Sequence, residues 1–325
     1  MGPGRRPGDR RLDPVASPVT PVAPPPGPHG AEGPRLARAL GLPADAVLDL
    51  SQSLNPVAPD VAALVARAAD AVRRYPDAEE ATSVLASAVG VDPARLVLTN
   101  GGAEAIALVA GERPVGRVDP PDFSLYARHL GRLDPSGPRW RSNPNNPTGR
   151  LAGDDETAAV WDEAFYPLAT GSWTRGDADR GAVVVGSLTK LFACPGLRLG
   201  YVIAPEVTLA DGLRARQPRW SVNALGLAVL PDLLAATELV AWRDTVARLR
   251  EDLVGLLSRA GLTAAPSAAN YVLVEHAPGV RERLARAAVA VRDAGSFGFP
   301  DGIRVAVPDE SGLERLADAL GGGEG

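Results

Sequence analysis

The sequence predicts an α/β protein: a three-layer αβα large domain on a mostly parallel sheet, followed by a small α+β domain at the C-terminal end. Three observations predict it. Short apolar runs with strand character at 47–50, 96–99, 115–118, 158–161, 182–185 and 202–204 are interleaved with stretches of helical spacing, the pattern of a parallel sheet covered by helices. Polar residues able to do chemistry stand just beyond several of these runs, where open α/β sheets hold their ligands. Beyond 219, long helices lead to short strands at 270–274, 289–291 and 303–307, which read as a second, smaller unit. A chain of 325 residues suffices for one large or two moderate domains.

Composition removes several function classes. Net charge is −5, with 22% charged residues, so no basic excess points to nucleic acid or an anionic membrane. One cysteine precludes an intrachain disulfide and argues against a cysteine-based metal site. His29, His129 and His276 are not spaced as metal ligands, so no metal is expected. Apolar runs are short and interrupted, so no membrane span is expected. Residues 1–28, rich in Pro, Gly and Arg, lack the apolar stretch of a secretory signal and read as a disordered tail. A cytoplasmic location follows as the expectation.

Taken in order, His29-Gly30 opens the folded part. Residues 35–40 form a short amphipathic helix that Gly41 ends, and 47–50 form a strand. Asp60 is placed to cap a helix running to 74, with apolar spacing at Val61, Leu64, Val65 and Val72. It ends at Tyr75-Pro76-Asp77, where the tyrosine taken alone is a packed aromatic at a turn. A helix over 78–89 stops at Gly90. Strand 96–99 then turns through Asn100-Gly101-Gly102-Ala103 into a helix to 110. Such a strand, glycine turn and helix start can cradle a phosphate on free amides, although a plain tight turn fits two adjacent glycines as well. Phe123, after strand 115–118, is by itself equally a core aromatic. Asp162 stands at the C-terminal end of strand 158–161. Helices over 207–216, 223–238 with a break at Pro231, and 241–260 lead to the C-terminal strands. Arg304 lies inside an apolar strand, where a lone Arg needs a partner or an exposed edge. The last helix, 311–320, starts at a Ser311 cap.

The densest stretch is Ser187-Leu188-Thr189-Lys190-Leu191-Phe192-Ala193-Cys194-Pro195-Gly196-Leu197-Arg198-Leu199-Gly200-Tyr201. A lysine just after a buried strand suits a pocket better than a core. Ser187, Thr189 and Arg198 around it suit an anion such as a phosphate, with hydroxyl donors and a guanidinium fork. The Lys190 amine can form a Schiff base with an aldehyde. Ser-x-Thr-Lys alone also matches a solvated surface loop.

Residues 187–201 resemble the lysine segment of fold-type I pyridoxal-phosphate (PLP) enzymes. Among these the chain resembles the class I/II aminotransferase family, and is most similar to its histidinol-phosphate aminotransferases and threonine-phosphate decarboxylases. Asn143-Pro144-Asn145-Asn146-Pro147-Thr148-Gly149 matches that family's motif at every position. Pro120-Pro121-Asp122-Phe123-Ser124-Leu125-Tyr126, Trp220-Ser221-Val222-Asn223 and Ile303-Arg304-Val305 resemble further landmarks in the right order, so the resemblance spans 29–320. It implies an aspartate-aminotransferase-like fold with an N-terminal arm and small-domain part at 29–60. A large PLP-binding domain at 61–218 follows, then connecting helices and the small domain at 219–325.

PLP is the implied cofactor, with Lys190 as the catalytic residue that binds it. The amides of Gly102 and Ala103, with Ser187 and Arg198, would hold its phosphate. Phe123 would stack on its ring, Asn146 donate to its phenolic oxygen and Asp162 pair with its ring nitrogen. Tyr75 would reach the phosphate from the other subunit of a homodimer. Arg304 would take the substrate carboxylate. His29 and Asn55 would line the substrate side, in a start that resembles threonine-phosphate decarboxylases. Phe165 stands where aminotransferases often have Tyr, which also favours the decarboxylase. The intervals from Phe123 to Asn146 and on to Asp162 are shorter than the resemblance implies, so the large domain is expected to lack one or two peripheral elements. The expected substrate is an amino acid or phosphorylated amino compound. Decarboxylation of threonine phosphate in cobalamin biosynthesis is preferred. Amino transfer of the histidinol-phosphate or aromatic type is the alternative, and a non-catalytic PLP-fold protein the second.

Overall fold

The computed structural model describes residues 23–27 and 30–321. His29 and most of the tail read at 1–28 lie outside the described residues. Residues 23–27 lie against the body. Arg281 donates to the Pro24 carbonyl (2.8 Å), and the Gly27 N–H donates to Glu32 Oε1 (2.8 Å). Ordered chain therefore begins before the boundary read at 28, because backbone there satisfies two buried charged groups.

Helix α1 (Gly33–Leu40) ends at Gly41 in the left-handed conformation, and β1 (Leu48–Leu50) follows. Asp60 caps α2 (Val61–Arg67), accepting from the Ala62 and Ala63 amides, but the helix tightens to a 3₁₀ turn over Ala69–Arg73 instead of running to 74. After α3 (Glu79–Val89) the large sheet begins with β2 (Leu96–Asn100), α4 (Gly101–Glu112), β3 (Val115–Val118), α5 (Ser124–His129) and β4 (Arg132–Leu133). It continues through β5 (Arg139–Ser142), β6 (Val160–Asp162), α6 (Tyr166–Thr170), β7 (Val183–Ser187), α7 (Leu188–Leu191) and β8 (Leu199–Ile203). Its order is β2-β8-β7-β6-β5-β3-β4. Only β8 runs antiparallel to its neighbours. Val183, Val184 and Val185 are buried on both faces, which explains their unbroken apolar run.

The shortening falls on the crossovers rather than the strands. Residues 134–138 carry the chain from one edge of β3 to the other: β4 pairs with Val115 and Gly116, β5 with Arg117 and Val118. Parallel crossovers ordinarily take about a dozen residues or more. This passage is possible because Gly137 lies against Gly116, where an added Cβ would come within 3.3 Å of the Gly116 carbonyl carbon. Between β5 and β6 no helix forms. Arg175 donates there to the Glu156 (3.1 Å) and Gly153 (2.7 Å) carbonyls and lies over the Trp161 ring. The Glu156 carboxylate accepts from Arg141 and Arg150. A guanidinium–carboxylate layer thus covers the sheet between β5 and β6.

Helices α8 (Val207–Arg216), α9 (Ala224–Ala235) and α10 (Leu239–Arg259) follow, with Pro231 inside α9 without ending it. The small sheet has the order β1-β10-β11-β9 and is built from β9 (Tyr271–Val274), β10 (Val289–Asp293) and β11 (Ile303–Ala306), with α11 (Val280–Arg286) between β9 and β10. β1 joins it parallel to β10, so the N-terminal segment completes the C-terminal sheet. The final helix, α12 (Glu310–Gly321), starts one residue before Ser311. Asp309 supplies its cap, accepting from the Gly312 N–H (2.8 Å). Among the described residues no single helix is long and apolar enough to cross a membrane.

Candidate active site

A cavity of about 320 Å³ opens at the C-terminal ends of the parallel strands, under the small sheet. It gathers most of the residues read from sequence: Gly102, Ala103, Phe123, Asn146, Asp162, Ser187, Lys190, Arg198 and Arg304.

Lys190 is the single lysine of the chain. β7 ends at Ser187, and the one-turn helix α7 buries Leu188, Thr189 and Leu191, so Lys190 is turned into the cavity. Its Nζ donates to the Gln52 carbonyl (2.8 Å). Burial, then the charges of Arg304 and Arg198, lower its pKa to about 8.

The N-terminus of α4 faces the same space. Asn100 gives it no side-chain cap. Glu104 instead reaches back to the Asn100 N–H (2.6 Å). Gly101 has φ 77°, and the Arg198 guanidinium lies so close that an added Cβ would meet its Nη2 at 2.5 Å. Free amides at Gly102 and Ala103, an arginine and the Ser187 hydroxyl form an anion cradle.

Asp162 is buried at the end of β6. Tyr126, fully buried, donates its hydroxyl to Oδ2 (2.8 Å), and the Ala164 N–H donates to Oδ1 (3.0 Å). Burial raises the Asp162 pKa, against these donors. Phe123 meets Tyr126 edge-on, with ring centroids 5.7 Å apart. The Asn146 N–H donates to Ser142 Oγ (2.7 Å), and its Oδ1 accepts from Arg304 Nη1, which leaves the amide donor for a ligand. The other motif asparagines brace the backbone: Asn145 donates to the Pro121 carbonyl, and Asn143 accepts from the Ala152 N–H. Phe165 packs edge-on against Tyr271 and brings no hydroxyl.

At the far end Arg304 is buried over the Tyr271 ring, 4.7 Å from its centroid, and burial lowers its pKa to about 10. Arg292 stands directly opposite it across the β10–β11 pairing, and both line the cavity. Arg292 donates to the Gly27 carbonyl (2.6 Å) and to Ser296 Oγ (2.8 Å). The sequence reading singled out Arg304 but missed Arg292, although it also ends an apolar run, Val289-Ala290-Val291. Tyr126 was missed because only its hydrogen bond, not its position in the motif, marks it.

Two of the expected residues do not line this chain's own cavity, and a third lies outside the described residues. Asn55 is corrected from substrate binding to support. Its side chain donates to the Leu191 carbonyl (2.9 Å) and accepts from the Val57 N–H (3.1 Å), so the turn at Pro56 folds it behind α7. Tyr75 is 79% exposed and packs on Trp220, ring centroids 4.7 Å apart, away from this chain's own cavity. His29 is outside the described residues.

The donor set fits PLP. A lone lysine would meet the aldehyde, the anion cradle the phosphate, a buried carboxylate the ring nitrogen and an aromatic the ring face. The comparisons agree. The model of the family "Aminotransferase class I and II" matches residues 140–320. The chain is 32% identical to histidinol-phosphate aminotransferase of Symbiobacterium thermophilum, covering 87% of this chain and 91% of the relative. It is 29% identical to threonine-phosphate decarboxylase of Salmonella typhimurium, covering 90% and 95%. The solved structure of histidinol-phosphate aminotransferase from Sinorhizobium meliloti, in complex with PLP, superposes with a TM-score of 0.78 at 18% identity, covering 89% of this chain and 93% of that one. That likeness establishes the aspartate-aminotransferase-like fold, while the family match, spanning more than half the chain and converging on its one lysine, makes this protein a PLP-dependent enzyme of the class I and II aminotransferase family.

Proposed function

We propose that the enzyme acts on a phosphorylated amino acid and that its reaction is of the threonine-phosphate decarboxylase type. The observation that carries this reading is the pair Arg292 and Arg304, two buried cations opposite each other in one cavity wall. Two guanidinium groups lining one cavity suit a substrate that carries two anionic groups, a carboxylate and a phosphate. O-Phosphothreonine has both, whereas histidinol phosphate has only the phosphate. Phe165, without a hydroxyl, supports the same reading.

When bound, PLP supplies an electron-accepting ring that stabilises negative charge at the substrate Cα. The chain's residues do the rest. Gly102, Ala103, Ser187 and Arg198 hold the cofactor phosphate. Asp162 keeps a proton on the ring nitrogen, Asn146 donates to the phenolic oxygen and Phe123 covers the ring face. Lys190 supplies the amine that takes up the cofactor and then moves the proton at Cα. Arg304 takes the carboxylate in its fork and Arg292 the phosphate. In a decarboxylation Arg292 would hold the phosphate at the far end of the cavity, and Lys190 would return a proton to Cα in place of the carboxylate lost as carbon dioxide.

Amino transfer is the second reading, favoured by the histidinol-phosphate aminotransferases among the relatives. Enzyme, PLP and O-phosphothreonine incubated without any keto acid separate the two. Release of carbon dioxide with aminopropanol phosphate is expected. No release, with histidinol phosphate converting the cofactor to its pyridoxamine form, overturns the decarboxylase. The decarboxylase reading implies a role in building the cobalamin side chain, in the cytoplasm.

The enzyme is further proposed to be a homodimer with shared sites. Val72, Tyr75 and Trp220 are exposed large apolar side chains that a second copy would cover, and Tyr75 then serves the partner's cofactor phosphate. Hybrids of a Tyr75→Phe chain and a Lys190→Ala chain should regain activity, because one of their two sites receives both intact residues. Proven hybrids without recovery would count against it.

A further inference from the structure

The turn between β3 and α5 carries a second carboxylate, Asp122, which the roles above leave unused and which does not line the cavity. Its Oδ1 accepts from the Phe123 N–H (2.7 Å) and from the Ser142 hydroxyl, and its Oδ2 accepts from the Ser142 N–H (3.2 Å). Ser142 Oγ in turn accepts from the Asn146 N–H (2.7 Å). Ser142 pairs in register with Asp162 across β5 and β6. Burial pushes the Asp122 carboxyl up to about 7, with the Ser142 and Phe123 donors acting against it and the charge of Asp162 adding to it. A carboxylate so close to another is costly. What satisfies it is donors from the two segments that carry the contacts to the cofactor ring.

We infer that Asp122 is a positioning residue for the PLP ring. It fixes the Phe123 amide directly and the Asn146 amide through Ser142. It thereby sets the spacing between the side chain over the ring face and the side chain at the phenolic oxygen. Two chain segments, the N-terminus of α5 and the C-terminus of β5, are locked to one carboxylate.

The test is PLP binding by the apo-protein, followed by absorbance and by the circular dichroism of the bound cofactor, which reports how the ring is held. Asp122→Ala removes an acceptor of several hydrogen bonds and is expected to weaken PLP binding about tenfold or more and to diminish the dichroic band. Asp122→Asn keeps the acceptor at Oδ1 and loses the one at Oδ2, so it should weaken binding less. Ser142→Ala should also weaken it, and the double variant Asp122→Ala/Ser142→Ala should be no worse than Asp122→Ala within about twofold, because the two act through one chain of bonds. Unchanged affinity and dichroism in Asp122→Ala, additive losses in the double variant, or an Asn loss equal to the Ala loss each overturn the inference. If Asp122→Ala fails to fold, Asp122→Asn and Ser142→Ala carry the same expectations. The inference rests on the ring lying between Phe123 and Asn146, which Phe123→Ala and Asn146→Ala probe separately. If neither weakens PLP binding, the site reading falls and this inference with it. Losses there with none at Asp122 overturn this inference alone.

Discussion

Lys190→Ala will abolish turnover and leave borohydride nothing to fix. The side chain is the only lysine of the chain, so reduction of the wild-type holoenzyme should place the cofactor on one peptide, the one containing Lys190. The variant should carry none there. Acid–base catalysis by a positioned group contributes about 10²–10⁴ in rate, and the loss of cofactor attachment adds to that, so a fall in kcat of about 10⁴ or more is expected. Stability should change little, since Nζ donates to a backbone carbonyl. Burial has already brought the amine down to about 8. The neutral amine is the nucleophile, so cofactor uptake by the apo-protein should quicken as pH rises through about 8. Cofactor fixed at the α-amino group instead, or a variant that still turns over, would sink the assignment.

The second large effect belongs to Asp162. Asp162→Asn keeps the side chain's shape and an acceptor for Tyr126, but it removes the charge assigned to holding a proton on the ring nitrogen. Preorganised charge of this kind is worth about 10²–10³ in kcat. A loss of that size should appear in kcat rather than in KM, because the proposed partner of the carboxylate is the cofactor and not the substrate. Asp162→Glu should recover part of it. Activity within about threefold of wild type in Asp162→Asn, well short of such an electrostatic loss, would mean that the ring nitrogen has another partner.

What could be read from the sequence was what lies contiguous in it. Residues 143–149 and 187–201 each keep their ligand groups within a few positions, so the cofactor, the lysine and the fold class were legible there. Arg292 was not. Its meaning comes from standing opposite Arg304, and that depends on an antiparallel register no local pattern specifies. Asp122 and Tyr126 sat in plain view inside a motif, yet their roles lie in hydrogen bonds to Ser142 and Asp162, on other strands. Asn55 was placed on the substrate side by the resemblance of its segment, whereas its side chain donates to the Leu191 carbonyl at the end of α7. The short intervals were visible, but not what fills them: between β5 and β6 charged side chains, in place of a helix, cover the sheet.

That exchange has a thermal consequence. An apolar helix packed on a sheet holds by the hydrophobic effect, whose strength per unit area levels off with heating. The hydration that competes with ion pairing loses free energy over the same range. The cluster of Arg139, Arg141 and Arg150 around Glu156, with Arg175 over Trp161, therefore grips β5 and β6 in the middle of the sheet relatively more firmly in a warm cell than in a cold one.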